Sequence, residues 1–298
     1  MLNFLAFLAP VLGPILRFIY EIVKNYGLAI ILFSLLIKLV TLPLAIKQQK
    51  SSMEMRKIQP ELQIINKKYK NDKEKLQKET MKLYEKHNIN PAAGCLPMLI
   101  QLPIIFALYR VIYQPVTYIL NLSFDTIKQI VERLALNIDL SSGANALMTK
   151  EIEIANALTP DAIAKLSDIL PHAIEPIDFT FLGLNLAQTP QLSVFNILWI
   201  IPLLAGVTTF LTSKFAAAAQ PMPAGDNPAA SMNNSMMIIF PFMTAYFCFI
   251  MPAGVGVYWI VNNVLSLLQQ VFLNRMWQNK LEDDVIEVKK KKGGEPKK

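Results

Sequence analysis

Apolar residues are gathered along this chain into charge-poor runs that are long enough to cross a membrane. About 20 helical residues, each rising about 1.5 Å, span a hydrocarbon core of about 30 Å. The runs predict five transmembrane helices, here called spans one to five, at residues 25–46, 94–120, 192–212, 235–251 and 252–274. Spans four and five share an uncharged stretch that is broken near Pro252 and Gly254, which predicts two helices joined by a tight turn.

Composition agrees with this pattern. Of the 298 residues, 53% are hydrophobic and 17% are charged, and the mean hydropathy is +0.36. Soluble domains average about 25% charged residues. The sequence therefore predicts an all-α integral membrane protein rather than soluble domains.

The distribution of lysine and arginine predicts the orientation, because these residues resist translocation when they lie in loops. Residues 47–93 carry 12 of them and the tail 275–298 carries 8, whereas residues 121–191 carry 4 together with 9 acidic residues. Residues 47–93, the loop 213–234 and the tail are therefore predicted to be cytoplasmic. Residues 121–191 are then extracytoplasmic, and five spans place the N-terminus outside.

The segment before span one, residues 1–24, begins with an apolar stretch and continues with an amphipathic one. Leu12, Ile15 and Leu16 alternate with Arg17 and Glu21, which predicts an outer interfacial helix over residues 10–24. The alternative is a frayed lead-in to span one. The segment lacks the basic start and the Ala-x-Ala site of a signal peptide.

The first cytoplasmic segment, residues 47–93, has the pattern of a helical hairpin. Apolar residues recur every three or four positions from Met55 through Ile58 and Leu62 to Tyr69, and Asp72 can cap a second helix. Two groups of basic residues accompany it: Lys67, Lys68, Lys70 and Lys73 in the hairpin, and Lys289, Lys290, Lys291 and Lys292 in the tail. In one interpretation these lysines contact anionic lipid or ribosomal RNA. In the other they are solvated and only determine the topology, and both interpretations are open.

Span one contains a single charge, Lys38, about 18 Å from the outer end of the span. A lysine at a helix centre costs about 2.5 to 3.5 kcal/mol on insertion scales and normally faces a wet cavity or a partner. Snorkelling of the side chain to the inner surface is the alternative. Ser34 lies one turn earlier on the same face, and no span contains an acidic residue, so a hydrated cavity open to the cytoplasm is favoured over a buried ion pair.

Other spans contribute polar residues that could line such a cavity: Gln101, Thr208, Thr209, Asn262 and Asn263. For each of these residues, a hydrogen bond between helices is an alternative explanation that fits equally well. Trp259 lies deep in span five for an interfacial residue. A position in the aromatic belt and a position in a pocket are both open interpretations.

We find no catalytic motif in the sequence. Cys95 and Cys248 lie in or beside apolar runs, and His87 and His172 have no nucleophile or metal-ligand spacing near them. A phosphate-binding GxxxxGK[ST] sequence is absent. We therefore expect neither an enzyme nor a bound cofactor or metal.

Residues 90–106 (NPAAGCLPMLIQLPIIF) resemble the YidC family of membrane protein insertases, and the stretch is highly specific. The resemblance continues in five further segments: NYGLAIIL at 25–32, LP at 42–43, QPE at 59–61, AGVTTF at 205–210 and PAGVGVYWIVN at 252–262. It resembles the Gram-positive form, without a large outer domain before span one, although no cysteine near the N-terminus offers a lipid attachment site. Residues 141–177 are longer than the usual outer connection of the family.

This resemblance implies five helices around a hydrophilic groove that is open to the cytoplasm and to lipid. Lys38 matches a position that is usually arginine, so the charge is kept and the bidentate guanidinium is lost. Ser34 matches a small hydroxyl position, Trp259 an aromatic position that contacts the substrate, and Tyr258 precedes it in the matching segment. The implied partners are nascent membrane proteins, the ribosome, the Sec translocon, the receptor of the signal recognition particle and anionic lipids, with the protein acting as a monomer in the bacterial cell membrane.

A secondary transporter or channel for a small anion is the alternative function, with Lys38 as its binding charge. Transporters commonly contain internal repeats, and the pattern of span one does not recur in the later spans. The insertase is therefore favoured.

Overall fold

A computed structural model describes the backbone of residues 8–87, 96–138, 144–219 and 228–292, and side chains within residues 8–87, 103–138, 150–217 and 237–276. The helices in chain order are α1 Ala9–Val23, α2 Tyr26–Lys57, α3 Gln59–Lys68, α4 Lys73–Lys86, α5 Leu96–Tyr113, α6 Pro115–Tyr118, α7 Phe124–Arg133, α8 Ala144–Ala157, α9 Pro160–Lys165, α10 Ile200–Ala219, α11 Pro228–Ile250 and α12 Ala253–Lys292. One antiparallel hairpin, β1 Thr180–Phe181 and β2 Leu184–Asn185, and a 3₁₀ turn at Ile197–Trp199 are the other elements.

Three helical segments in the described part of the chain are long and apolar enough to cross a membrane: Tyr26–Lys57, Ile197–Ala217 and Ala253–Met276. Two shorter apolar helices lie at Pro103–Tyr113 and Met237–Ile250. Helices dominate the described residues and strands are limited to two residues each. The prediction of an all-α integral membrane protein is therefore confirmed.

Two compact units divide the chain. The first consists of residues 1–39, 98–209 and 240–262, and the second of residues 40–97, 210–239 and 263–298. Each unit thus combines segments that are distant in sequence, as expected when helices from different parts of a chain pack side by side.

The core of the first unit is formed by apolar side chains from α1, α2, α5, α12 and the segment between α6 and β2. Tyr26 and Phe33 of α2 and Ile112 of α5 are fully buried in it. The Tyr26 hydroxyl donates a hydrogen bond to the carbonyl of Ile112, which satisfies the polar tip of this aromatic ring inside the core.

Helix α1 presents two apolar surfaces. Leu12, Leu16 and Tyr20 are buried in the core of the first unit, whereas Phe18 and Ile22 are exposed. The amphipathic pattern therefore reflects packing of one side of α1 against the protein. The other side of α1 has exposed apolar residues.

The second unit contains the helical hairpin formed by α3 and α4. Ile58, Leu62 and Leu83 make a small buried cluster of their own, and the residues of the predicted apolar seam thus meet across the hairpin. Asp72 caps α4 by accepting a hydrogen bond from the Lys75 N–H at 3.1 Å. The backbone hydrogen bond holds the pKa of Asp72 below its ordinary value.

Helix α2 continues to Lys57, well past the apolar run of residues 25–46, and Pro43 lies inside it. Charged and polar residues after Ile46 end the hydrophobic run without ending the helix, since lysine and glutamine are good helix formers. At the other end of the chain, α11 ends at Ile250 and α12 begins at Ala253, so the turn occupies Met251 and Pro252.

A modest loss of stability is expected when the cap of α7 is removed. The Ser123 hydroxyl accepts a hydrogen bond from the Thr126 N–H at 3.2 Å, and the helix buries Ile127, Ile130 and Val131. Ser123→Ala should lower the free energy of unfolding by about 1 kcal/mol, measured by unfolding in detergent, while Ser123→Asp should keep it because aspartate also caps helices. Equal stability of the alanine variant and the wild type would contradict a role for this cap.

Candidate functional site

Three long helices begin at a common end of the first unit, and two glycines of α12 allow the close approach. A Cβ atom at Gly254 would lie 2.9 Å from Cε1 of Tyr26 at the start of α2. A Cβ atom at Gly256 would lie 2.3 Å from Cγ2 of Ile201 at the start of α10. The N-terminal ends of α2 and α10 therefore both pack against the start of α12.

The segment that precedes α10 supplies backbone acceptors to two of these helix starts. The Tyr26 N–H donates to the carbonyl of Asp178 at 2.9 Å, the Ala253 N–H to that of Gln188 at 2.8 Å and the Gly254 N–H to that of Leu186 at 2.9 Å. N–H groups in the first turn of a helix have no partner within the helix. Residues 178–188 thus satisfy and cover this end of α2 and α12.

Ser34 and Lys38 lie four residues apart on α2 and hence on one face of it. Ser34 is buried, and its hydroxyl donates to the carbonyl of Ile30 at 2.7 Å. Lys38 is half-buried and is the only charged residue of α2 before Lys47. It lies about 18 Å along the helix from Tyr26.

Thr208 and Thr209 of α10 lie about 11 to 12 Å along the helix from Ile201. The Thr208 hydroxyl donates to the carbonyl of Leu204 at 2.7 Å, and Thr209 is 6% exposed. A hydroxyl that donates to its own helix keeps its oxygen lone pairs available to accept a further hydrogen bond.

Helix α12 carries four of the predicted residues in two pairs with a spacing of four. Tyr258 is buried and Asn262 half-buried, and Trp259 and Asn263 are both half-buried. Asn262 lies about 12 Å from Gly254 along the helix. Asn263 belongs to the second unit, so the first unit contains every predicted groove residue except this one.

Ser34, Lys38, Thr208, Thr209 and Asn262 therefore share a band at similar depth. Measured from the common end along each helix, the band extends from about 10 to 20 Å. Gln101 lies on α5, and its side chain is outside the described side chains.

Of the predicted basic contacts, Lys67, Lys68, Lys70 and Lys73 of the hairpin are exposed. The Lys68 ammonium lies 5.3 Å from the centroid of the Tyr69 ring. Lys289, Lys290, Lys291 and Lys292 fall in the last turns of α12, and their side chains are outside the described side chains.

Glu151 on α8 is a buried carboxyl group that the sequence analysis missed. It is 2% exposed, and its two oxygens accept hydrogen bonds from the Thr117 N–H at 2.7 Å and the Thr117 hydroxyl at 2.6 Å. Burial raises the pKa of Glu151 to about 7, although the Thr117 hydrogen bonds and the charge of Arg110 oppose the rise. The local sequence gives no signal for it, because Glu151 is one of nine acidic residues in a polar region.

Comparisons with known proteins identify the family of this chain. Residues 18–280 match the protein family described as 60Kd inner membrane protein. The chain is 34% identical over 251 residues to the membrane protein insertase YidC of Fusobacterium nucleatum, covering 84% of this chain and 87% of that protein. It is 35% identical over 280 residues to YidC of Beijerinckia indica and 32% identical over 274 residues to YidC of Nitratidesulfovibrio vulgaris, covering 93% and 92% of this chain but only 39% and 40% of those longer proteins. The chain therefore belongs to the YidC family of membrane protein insertases, and it is a multi-pass membrane protein of bacterial type.

Proposed function

We propose that this protein inserts nascent membrane proteins through a hydrophilic groove formed by α2, α10 and α12, with Lys38 as its working charge. The observation that carries the proposal is the position of Lys38. It is the only charge in the apolar part of α2, and it lies within about 8 Å in depth of the hydroxyl and amide groups of α10 and α12. Five transmembrane spans and a groove open to the cytoplasm and lipid are part of this proposal.

Polar groups at this depth would help a substrate by shortening the apolar barrier that its hydrophilic tail must cross. The lysine attracts acidic residues of the tail, because two opposite charges about 4 Å apart gain about 4 kcal/mol at an effective dielectric constant of about 20. The apolar part of the substrate slides along α10, where Leu203 and Val207 are 58% and 55% exposed, and then partitions into lipid. Hydrophobic transfer drives this last step, so the protein needs no local hydrolysis of ATP.

The proposed orientation places the common end of α2, α10 and α12 outside and the hairpin and tail in the cytoplasm. The basic residues of the loops support it, since lysine and arginine are retained on the cytoplasmic side. The exposed lysines of the hairpin then meet the ribosome or anionic lipid, and the Sec translocon and the receptor of the signal recognition particle are further proposed partners. The protein acts as a monomer in this proposal.

Complementation tests the proposal. Cells depleted of their own insertase should again protect the translocated tail of a short acidic-tailed substrate from external protease when they express this chain. An empty vector is the control, and membrane levels of the protein are measured in parallel. Absence of protection at normal membrane levels would overturn the insertase function, and uptake of a small anion into proteoliposomes that is lost in Lys38→Ala would replace it with the transporter function.

A further inference from the structure

The turn between β1 and β2 contains an apolar residue that has an unfavourable backbone conformation and an exposed side chain. Leu182 and Gly183 have φ angles of +50° and +78°, both in the left-handed region. Two-residue hairpin turns with positive φ strongly prefer Asn-Gly or Asp-Gly. Here the first position is a leucine whose side chain is 85% exposed. A left-handed backbone and an exposed apolar side chain are both unfavourable for leucine. An apolar environment around the turn would offset these costs.

The hairpin lies along the first residues of membrane helix α2. The Asn25 side chain donates to the carbonyl of Thr180 at 2.7 Å, and the Tyr26 N–H donates to that of Asp178. Phe181, the residue after Thr180, covers Gly27, where a Cβ atom would lie only 2.3 Å from Cγ of the phenylalanine ring. Residues 178–181 therefore contact residues 25–27 at the start of α2, and the turn follows Phe181 directly in the chain.

The turn is open to its surroundings, and the neighbouring part of α2 exposes apolar side chains. A Cβ atom at Gly183 would have nothing within 4 Å. Leu28 and Leu32 on the same stretch of α2 are 44% and 42% exposed, as expected for side chains that face acyl chains. Residues 181–184 (FLGL) contain no polar side chain, so the tip of the hairpin can contact hydrocarbon.

We propose that Leu182 inserts into the lipid bilayer beside the first turn of α2 and anchors the β1–β2 hairpin to the leaflet that contains this end of the helix. The occupant of the space around the turn is phospholipid, and the lipid-facing surface of α2 continues onto the hairpin. The anchor acts on a segment that matters for the fold, because residues 178–188 supply the acceptors at the starts of α2 and α12. This inference rests on membership of a membrane protein family and not on the proposed insertase function.

Depth-dependent quenching in proteoliposomes tests the anchor. Cys95 and Cys248 are first replaced by serine and alanine, and single cysteines are introduced by Leu182→Cys, by Leu32→Cys as a lipid-facing reference and by Lys165→Cys as an exposed polar reference. Each is labelled with an environment-sensitive fluorophore in vesicles of phosphatidylethanolamine and phosphatidylglycerol. We expect the label at position 182 to be quenched by lipids brominated near the headgroup several-fold more than by aqueous iodide, and the label at 165 to show the reverse. Iodide quenching at 182 as strong as at 165, or a label at 182 that neither quencher reaches, would overturn the proposal, the second result by indicating a protein occupant.

Hydrogen exchange provides a test without a label. Leu182→Asn introduces a residue that suits the positive φ, and Leu182→Met keeps an apolar side chain. In vesicles, the amides of residues 180–188 should exchange several-fold faster in the asparagine variant than in the wild type and the methionine variant. Equal exchange in all three proteins would overturn the anchor, because the turn geometry alone gives asparagine no disadvantage.

Discussion

Lys38→Glu is expected to abolish the insertion of a substrate with an acidic translocated tail, whereas Lys38→Arg should retain it. Lys38 is half-buried in the apolar part of α2, so the interaction of its ammonium group with a charged tail is screened less than in water. At about 4 Å and an effective dielectric constant of about 20, the substitution turns an attraction of about 4 kcal/mol into a repulsion of similar size. Because about 1.4 kcal/mol corresponds to a tenfold change, the loss should exceed tenfold.

The measurement is protease protection of the tail in cells depleted of their own insertase, at matched membrane levels of each variant. Lys50→Glu is the matched control: it makes the same change on the same helix, at an exposed position after the apolar run, and should insert the substrate as the wild type does. Equal protection by the wild type, Lys38→Arg and Lys38→Glu would refute the electrostatic role of the lysine.

A second substrate separates electrostatics from damage to the fold. When the acidic residues of the tail are replaced by asparagine or glutamine, the attraction to Lys38 disappears, and Lys38→Glu should then support insertion nearly as well as the wild type. Failure of Lys38→Glu with both substrates, while Lys38→Arg functions, would show that a glutamate at this depth harms the helix bundle itself. A charge of either sign near the bilayer centre is costly without a suitable environment.

The membrane class could be predicted from the sequence because hydropathy responds directly to the environment of a helix. Hydropathy does not reveal where a helix ends. Helix α2 continues to Lys57 because lysine and glutamine favour helix even outside the membrane, and the hairpin begins only at Gln59. Similarly, the sequence predicts a turn near Gly254, yet Gly254 lies in the first turn of α12, where the absence of a side chain allows contact with Tyr26.

Only part of the candidate site could be predicted from the sequence. Lys38 could be identified from the sequence because a charge within an apolar run is conspicuous whatever the tertiary structure. Glu151 could not, because only the packing of α8 against the backbone at Thr117 buries it. The β1–β2 hairpin was missed for a related reason: the contact between Asn25 and Thr180 joins residues 155 positions apart, and each strand is only two residues long.

The stability of the wild-type protein is expected to fall as the pH rises from about 4.5 to about 7, and Glu151→Gln should remove this component. Burial raises the pKa of Glu151 to about 7 in the folded protein. In the unfolded chain the pKa of the carboxyl group returns to its ordinary value of about 4.5. Between these two values the folded state binds the additional proton, so the free energy of unfolding decreases with increasing pH, by on the order of 3 kcal/mol over the whole interval.

Protonation need not break the contact between Glu151 and Thr117. In the ionised state the Thr117 N–H and hydroxyl both donate to the carboxylate. In the neutral state the carboxyl O–H can donate to the Thr117 hydroxyl oxygen while the other carboxyl oxygen still accepts from the N–H, because a threonine hydroxyl both donates and accepts. The neutral form therefore keeps both hydrogen bonds and avoids the desolvation of a charge, which is why acidification stabilises this site.

Thermal unfolding in detergent between pH 4 and pH 8 measures the effect, with Glu153→Gln as the matched control. Glu153 lies on the same helix, and its carboxylate pairs with the Lys150 ammonium at 2.8 Å on the exposed surface. Its substitution should leave the slope of stability against pH unchanged, whereas Glu151→Gln should flatten that slope. A Glu151→Gln variant with the full slope of the wild type would mean that other groups titrate in this interval and that Glu151 stays ionised within the fold.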